Sequence, residues 1–482
     1  MFPKTKVSLP ITLTSLMILA LVVMACGGAA QPQAAPAEEE ASVEESVEQM
    51  VEVEAAVEEV TEEAAGEEVV EEMAGTSGCN VAAPGDPTTI DVIGWAFPIT
   101  EYYEKEFEKC DDVENLEVNV QLLDNAGAIE QVRLGLSGGG TSPYGVVHAA
   151  NSQIIEWGPQ GWLMPLNDLV EKYRDEYDLD DIPQAAWEGA TIDGNIYGIP
   201  VVGNTLHLMY RSDLFEKYDL EAPKTYDEVI SACNVLKDEP SIDLPFTINV
   251  HAGWAWEIEY LHFIRSFGGD YLNDDNTPAF NGPEGVAGLE KMKEVVDGCL
   301  GPDGLTYSIN DSNIGLANGA LAFVQLWASE AVSMDDPEQS DFVGQIEFAP
   351  AAAPNPGGPL GGSAWNDFYA IPATTDVDPD LIFRVIMEVA DLESQTEAAE
   401  YGMVTRGAVA ESGAGGRYLP AANETIVKGV GIYPPNPAVP LARTALGNWL
   451  PLVGTGELSP QEALDKAAEE YITEATAQGF LK

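Results

Sequence analysis

Apolar residues change their spacing along this chain in a regular way, and the changes mark out elements. "TTIDVIGW", Thr88 to Trp95, is an apolar strand, and "TEYYEKEFEKC" after it places Tyr103, Phe107 and Cys110 at helical spacing. "LEVNVQLLD" alternates as a second strand, "AIEQVRLGL" reads as a second helix, and "YGVVHAAN" as a third, buried strand. Strand, helix, strand, helix, strand predicts a doubly wound α/β sheet, whose ligands sit beyond the carboxyl ends of the strands. Trp95 to Pro98, Asp124 to Gly127 and Ala150 to Ser152 then share one rim.

A second set of elements follows. Asp193-Gly194 is a turn; one strand runs into Pro200 and another from Thr205 to Tyr210, leading into a helix capped by Ser212. "TYDEVISACNVLK" opens with a capping box, Thr225 to Glu228, and "GPEGVAGLEKMKEVVDG" is a helix with Pro283 near its first turn. "GALAFVQLW" is a strand ending on Trp327, and "GGSAWNDFYAIPA" is a Gly-rich strand before the helix "DPDLIFRVIMEVADL". The C-terminal helix "SPQEALDKAAEEYITEATAQ" has Ser459 as cap, Pro460 at its first position and Glu462 completing a capping box. At 482 residues the chain exceeds one typical core, so two packed lobes that exchange segments are expected.

The first residues follow another logic. Lys4 and Lys6 precede a hydrophobic stretch from Val7 to Met24, too short and weakly flanked for a permanent span and laid out like a secretory signal. Residues 27–78 are rich in Glu and contain no Lys or Arg; such like charges repel, which predicts an extended tether, the alternative being an acidic helix that binds a partner. The whole chain carries 81 acidic against 21 basic residues, which argues against nucleic acid and anionic lipid as partners; a saline habitat is a second source of such a surface. Cys79, Cys110, Cys233 and Cys299 form an even set in an exported chain. Cys79 precedes the first strand and Cys110 ends the helix running back along it, so these two can meet; Cys233 with Cys299 follows by elimination, with two buried free thiols as the alternative.

Val23-Met24-Ala25-Cys26 resembles a bacterial lipobox, with Met24 where a small or β-branched residue is usual; the alternative is a plain secretory signal with an incidental cysteine. With "GWLMPLNDLVEKY", "DGNIYGIPVVGNTLHLMYRSDLFEKYDLEAPKTYDEV", "GALAFVQLW", "GGSAW" and "LSPQEALDKAAEEY", the chain resembles, in that order, the extracellular solute-binding proteins of ABC importers, of the sugar- and oligosaccharide-binding type. "GGGTSPYGVV" departs from the family, which often has Pro-Asp before that strand.

The resemblance implies a two-lobed periplasmic-binding-protein-like fold of type II, with interdigitated lobes, a hinge and an interlobe cleft. It divides the chain into a lipoprotein signal peptide (1–25), a lipidated Cys26 with an acidic tether (26–84), lobe I (85–202 plus 361–415) and lobe II (203–360 plus 416–482). Crossings are expected near Val201 to Asn204, Leu360 to Gly362 and Gly415. It also implies ABC permease subunits as partners, and a place at the outer face of the cell membrane, either cell surface or periplasm.

A sugar cleft needs flat aromatic platforms for C–H faces and side chains that donate and accept around the ring edge. Candidates at loop positions are Trp95, Phe97, Asn151, Ser152, Asn204, Trp254, Trp256, Trp327, Ser363, Trp365, Asn366 and Asp367, with Arg406 and Tyr433 as lesser ones. For each tryptophan the competing reading is a packed core residue, which is adopted for Trp162 and Trp187; Asn204 can equally cap a turn. No HExxH, GxSxG or Walker motif occurs, and His148, His207, His251 and His262 lack ligand-like spacing, so no cofactor, metal or catalytic residue is expected. A cationic solute such as a quaternary amine, held by tryptophans and negative charge, is the alternative ligand class, and a secreted carbohydrate hydrolase the alternative function.

Overall fold

The computed structural model describes residues 78–251 and 254–482, so the signal peptide, Cys26 and the acidic tether lie outside the described residues. In chain order the strands are β1 (Thr88–Trp95), β2 (Leu116–Leu123), β3 (Val146–Ala150), β4 (Thr191–Ile192), β5 (Asn195–Ile196) and β6 (Ile199–Asn204). They continue as β7 (Leu206–Arg211), β8 (Leu244–Thr247), β9 (Leu321–Trp327), β10 (Ile346–Pro350) and β11 (Trp365–Ala370).

Two sheets organise these strands. The first has the order β2-β1-β3-β11-β6, with β1 parallel to β2 and β3, and β11 antiparallel to β3 and β6. The second has the order β10-β7-β9-β8, in which only β8 and β9 pair in parallel. β4 and β5 form a hairpin around Asp193, whose φ of 51° is left-handed, and Gly194, whose φ of 81° no branched residue would accept cheaply. The chain leaves the first sheet at Asn204 and enters the second at Leu206, so one residue, Thr205, separates the two β-systems. It returns between β10 and β11, and isolated bridges Leu360 to Gly429 and Ala364 to Ile432 bind that return to a later segment.

Helices complete each lobe. Pro98–Glu108 and Pro379–Ala390 pack together on the first sheet, and Pro379–Ala390 buries an apolar stripe that includes Ile382, Phe383, Ile386 and Val389. Leu419–Lys428 packs on β7 and β10, whereas Val439–Trp449 and Pro460–Ala477 pack on each other and the first of them on Trp254–Ser266. Both predicted capping boxes form: the Thr225 hydroxyl accepts from the Glu228 N–H, and the Ser459 hydroxyl from the Glu462 N–H. Ser212 is a correction. It is the first helical residue rather than the cap, because its hydroxyl donates instead to the Gln345 carbonyl at 2.8 Å.

The two disulfides are Cys79–Cys110 and Cys233–Cys299. The first ties the strap before β1 to the turn after the first helix, where the Asn80 N–H also donates to Glu388 at 3.0 Å. Among the described residues no helix is long and apolar enough to cross a membrane.

Candidate binding site

Parallel strands in an α/β sheet end on a row of loops that can converge on a solute. Here the loops after β1, β2 and β3 converge with the corner after β9 around a cavity of about 320 Å³ between the two lobes. Trp95 and Phe97 come from the first loop, Asp124 and Asn125 from the second, Ser152 and Gln153 from the third. β11 contributes Trp365 and Asp367, and Asn204 stands at the crossing. The opposite wall carries Trp327, Ser329 and Glu330, with Ser308 to Asn310, His251, Ile258 and Arg443.

The aromatic part of the wall is built as linked rings. Trp327 and Trp365 lie 5.5 Å apart at 57°, and the Tyr433 ring meets Trp365 edge-on at 5.1 Å. Trp95 stacks on His148 at 3.5 Å and 15°.

The polar part is a set of carboxylates and amides with unequal environments. The Asp124 carboxylate caps the helix Asn125–Ser137 by accepting from the Gly127 N–H at 2.9 Å. Asn204 locks the crossing to the opposite lobe: its Nδ2 donates to Ser329 Oγ at 3.2 Å, and its Oδ1 accepts from the Ser329 and Thr205 N–H groups at 3.2 and 3.0 Å. Glu330 accepts from Asn313 Nδ2 at 2.8 Å and from Ser329 Oγ at 3.3 Å, and burial raises its pKa above the ordinary carboxylate value. Arg443 reaches the cavity from the helix Val439–Trp449, with its Nε 3.3 Å from Oε2 of the fully buried Glu257. Burial pushes Glu257 upward, against the opposing pull of Arg443 and of the Tyr271 and Tyr433 hydroxyls. Such a mixture is chemically able to accept from and donate to hydroxyl groups while offering flat apolar faces.

Of the residues singled out from sequence, Trp95, Phe97, Ser152, Asn204, Trp327, Trp365 and Asp367 lie on the cavity wall. Others do not. Asn151 is a buried pin whose Oδ1 accepts from the Asn366 N–H at 2.6 Å and whose Nδ2 donates to the Gly189 carbonyl at 3.4 Å; the Asn366 amide donates to the Val202 carbonyl at 3.4 Å. Ser363 is buried against His262 Nε2 at 2.9 Å, and desolvation lowers that imidazole to about 3, so it is neutral. Trp256 is a core residue of the second lobe, packed so tightly on Gly454 that a Cβ there would fall 2.5 Å from its ring. Arg406 is buried in the first lobe, donating to the Ala390 and Asp178 carbonyls at 2.8 and 2.6 Å. Tyr433 stands behind Trp365 and donates to Glu257 Oε1 at 3.1 Å, on an adjoining groove rather than on the cavity wall. Trp254 begins its helix, but its side chain lies outside the described residues.

Glu259, on the same helix as Glu257, makes a prediction about pH. It is fully buried, accepts from the Asn249 N–H at 3.2 Å, and burial pushes it up to about 8. The folded protein therefore holds this proton while the unfolded chain releases it above the ordinary value of 4.5. Stability from this group is full below that value and falls as pH rises to about 8. Glu259→Gln is expected to flatten that decline; urea midpoints measured across this range for both proteins check it, and parallel slopes contradict it.

Residues 97–380 match the sequence profile of the bacterial extracellular solute-binding protein family. The chain belongs to that family. A mannitol-binding protein of Pseudomonas aeruginosa is 25% identical over 40% of this chain and 44% of its own, and an ABC transporter extracellular-binding protein of Pyrococcus horikoshii is 34% identical over 25% of this chain and 27% of its own. The matched stretches thus span less than half of these curated relatives. Among solved structures, an ABC transporter solute-binding protein of Agrobacterium radiobacter in complex with ribitol superposes with a TM-score of 0.71 at 24% identity, over 80% of this chain and 99% of the other. A maltose-bound binding protein of T. maritima gives a TM-score of 0.69 at 19% identity, over 80% and 99%. The fold is thus the two-lobed periplasmic-binding-protein fold.

Proposed function

We propose that this solute-binding protein captures a carbohydrate or sugar alcohol in the interlobe cavity and delivers it to the permease of an ABC importer, without chemistry of its own. The observation that carries this is the wall itself, which brings Trp95, Trp327 and Trp365 together with Asp124, Asn204, Glu330 and Asp367. Flat rings suit C–H faces, and the carboxylates and amides suit hydroxyls. Relatives described as binding mannitol, ribitol and maltose support the same class. In this reading residues 85–202 plus 361–415 close on 203–360 plus 416–482 about the Thr205 crossing, and closed-cleft contacts offset the cost of the closed state. Cys26 is the lipid-bearing residue that keeps the binder at the membrane; mass spectrometry of the mature chain tests this, and an N-terminus elsewhere removes the anchor.

The experiment is a titration with ribitol, D-mannitol, D-tagatose, maltose and glycine betaine, followed by tryptophan fluorescence and calorimetry. Saturable binding of a sugar or polyol is expected. A response to betaine alone replaces this reading with a cation cage of the same tryptophans and carboxylates.

A further inference from the structure

We propose that His148, which does not itself line the cavity, is a positioning residue that holds the Trp95 ring and the Asp367 carboxylate in the geometry that receives the ligand. The ligand class in this inference rests on the carbohydrate and polyol reading above; the geometry does not.

His148 lies in β3, between β1 and β11, and its side chain is fully buried. Its ring stacks on Trp95, and its Nε2 lies 3.4 Å from Asp367 Oδ2. Both partners are on the cavity wall. One imidazole therefore touches an apolar platform and a hydroxyl acceptor that come from different strands. The Phe97 and Tyr369 rings stand further off, at 6.1 and 5.5 Å, and close the imidazole in.

Packing alone does not account for a histidine here. Neither ring nitrogen has a hydrogen-bond partner, and a buried polar atom without one lowers stability. Phenylalanine would fill the same slot and stack on the same indole without that cost. β1 also makes room for the ring: a Cβ on Gly94 would lie 3.1 Å from both Cβ and Nδ1 of His148. What histidine adds is its edge toward Asp367. That polar edge, 3.4 Å from Oδ2, fixes how the carboxylate faces the cavity without tying up an oxygen in a hydrogen bond, so both remain for a ligand hydroxyl, while the ring face keeps the Trp95 indole from turning at the strand end.

The test uses His148→Phe and His148→Ala in the full protein. His148→Phe keeps the stack and loses the contact with Asp367, so its unfolding midpoint should equal or exceed that of the parent while the dissociation constant rises about tenfold. The probe is whichever of ribitol, D-mannitol, D-tagatose and maltose saturates the parent. Unchanged affinity overturns the inference, and so does a parallel fall of affinity and stability, which a merely structural histidine would give. A ligand-free readout separates this result from failure of the sugar reading. Acrylamide quenching of Trp95, taken as the difference between each protein and its Trp95→Phe counterpart, should rise several-fold in His148→Ala and stay near the parent value in His148→Phe. If no probe binds the parent, the sugar reading fails by itself, and unchanged quenching in His148→Ala overturns the positioning role.

Discussion

Glu257→Leu should lower the stability of the protein by about 3–5 kcal/mol, a large part of the total holding a domain of this kind together. Glu257 is fully buried, its Oε2 faces Arg443 Nε at 3.3 Å, and its Oε1 accepts from the Tyr433 hydroxyl. Leucine would leave a guanidinium that is one-fifth exposed without its countercharge, and the Tyr433 hydroxyl without an acceptor. An arginine cannot escape by losing its proton. The reverse change is milder. In Arg443→Met the abandoned Glu257, already pushed upward by burial, can take up a proton, so the loss should be smaller and should grow with pH. Removing both partners together, as Glu257→Leu with Arg443→Met, should recover much of the stability, since a buried pair replaced by apolar residues of similar size costs little. Urea unfolding of the parent, both single variants and the double variant measures the cycle. A Glu257→Leu protein within about 1 kcal/mol of the parent would show that the pair carries no such weight.

That pair also shows where the sequence stops being legible. The five strands of the first sheet, β7 and β9 of the second, the two capping boxes, and Trp95 and Trp327 at the ends of their strands are signalled locally, by alternation, by cap residues and by position after an apolar run, whereas β8 and β10 are too short and too plain in pattern to stand out. A strand end in an α/β sheet is a rim position whatever the rest of the chain does. Arg443 and Glu257 carry no such signal. They come from helices far apart in the chain, and only the packing of Val439–Trp449 on Trp254–Ser266 brings them together. Glu330 was hidden differently, because it follows Trp327 in a 3₁₀ turn and one acidic residue among so many is not conspicuous. Trp256 misleads for the converse reason. It stands beside Trp254 in an aromatic cluster, yet the helical period turns it into the core over Gly454. Arg406 satisfies its guanidinium on backbone carbonyls, partners that no residue pattern reveals.

Trp365→Ala is expected to weaken ligand binding by about 30-fold or more while the protein stays folded. The side chain is only half-buried, at the start of β11, so its removal opens the cavity rather than the centre of a core. Its ring joins Trp327, 5.5 Å away, to the edge of Tyr433 at 5.1 Å. Loss of the indole therefore takes away a platform and also lets two neighbouring rings relax. Trp365→Phe keeps an aromatic face in place and should lose much less, which separates the platform from mere filling of space. Trp327→Ala is a less clean probe, because Trp327 is 6% exposed and packs into the core of the second lobe, so affinity and stability should fall together. Calorimetry with the sugar or polyol that saturates the parent, alongside thermal unfolding, reads both quantities. If Trp365→Ala binds within about threefold of the parent, the indole is a bystander and the ligand rests on the polar wall alone.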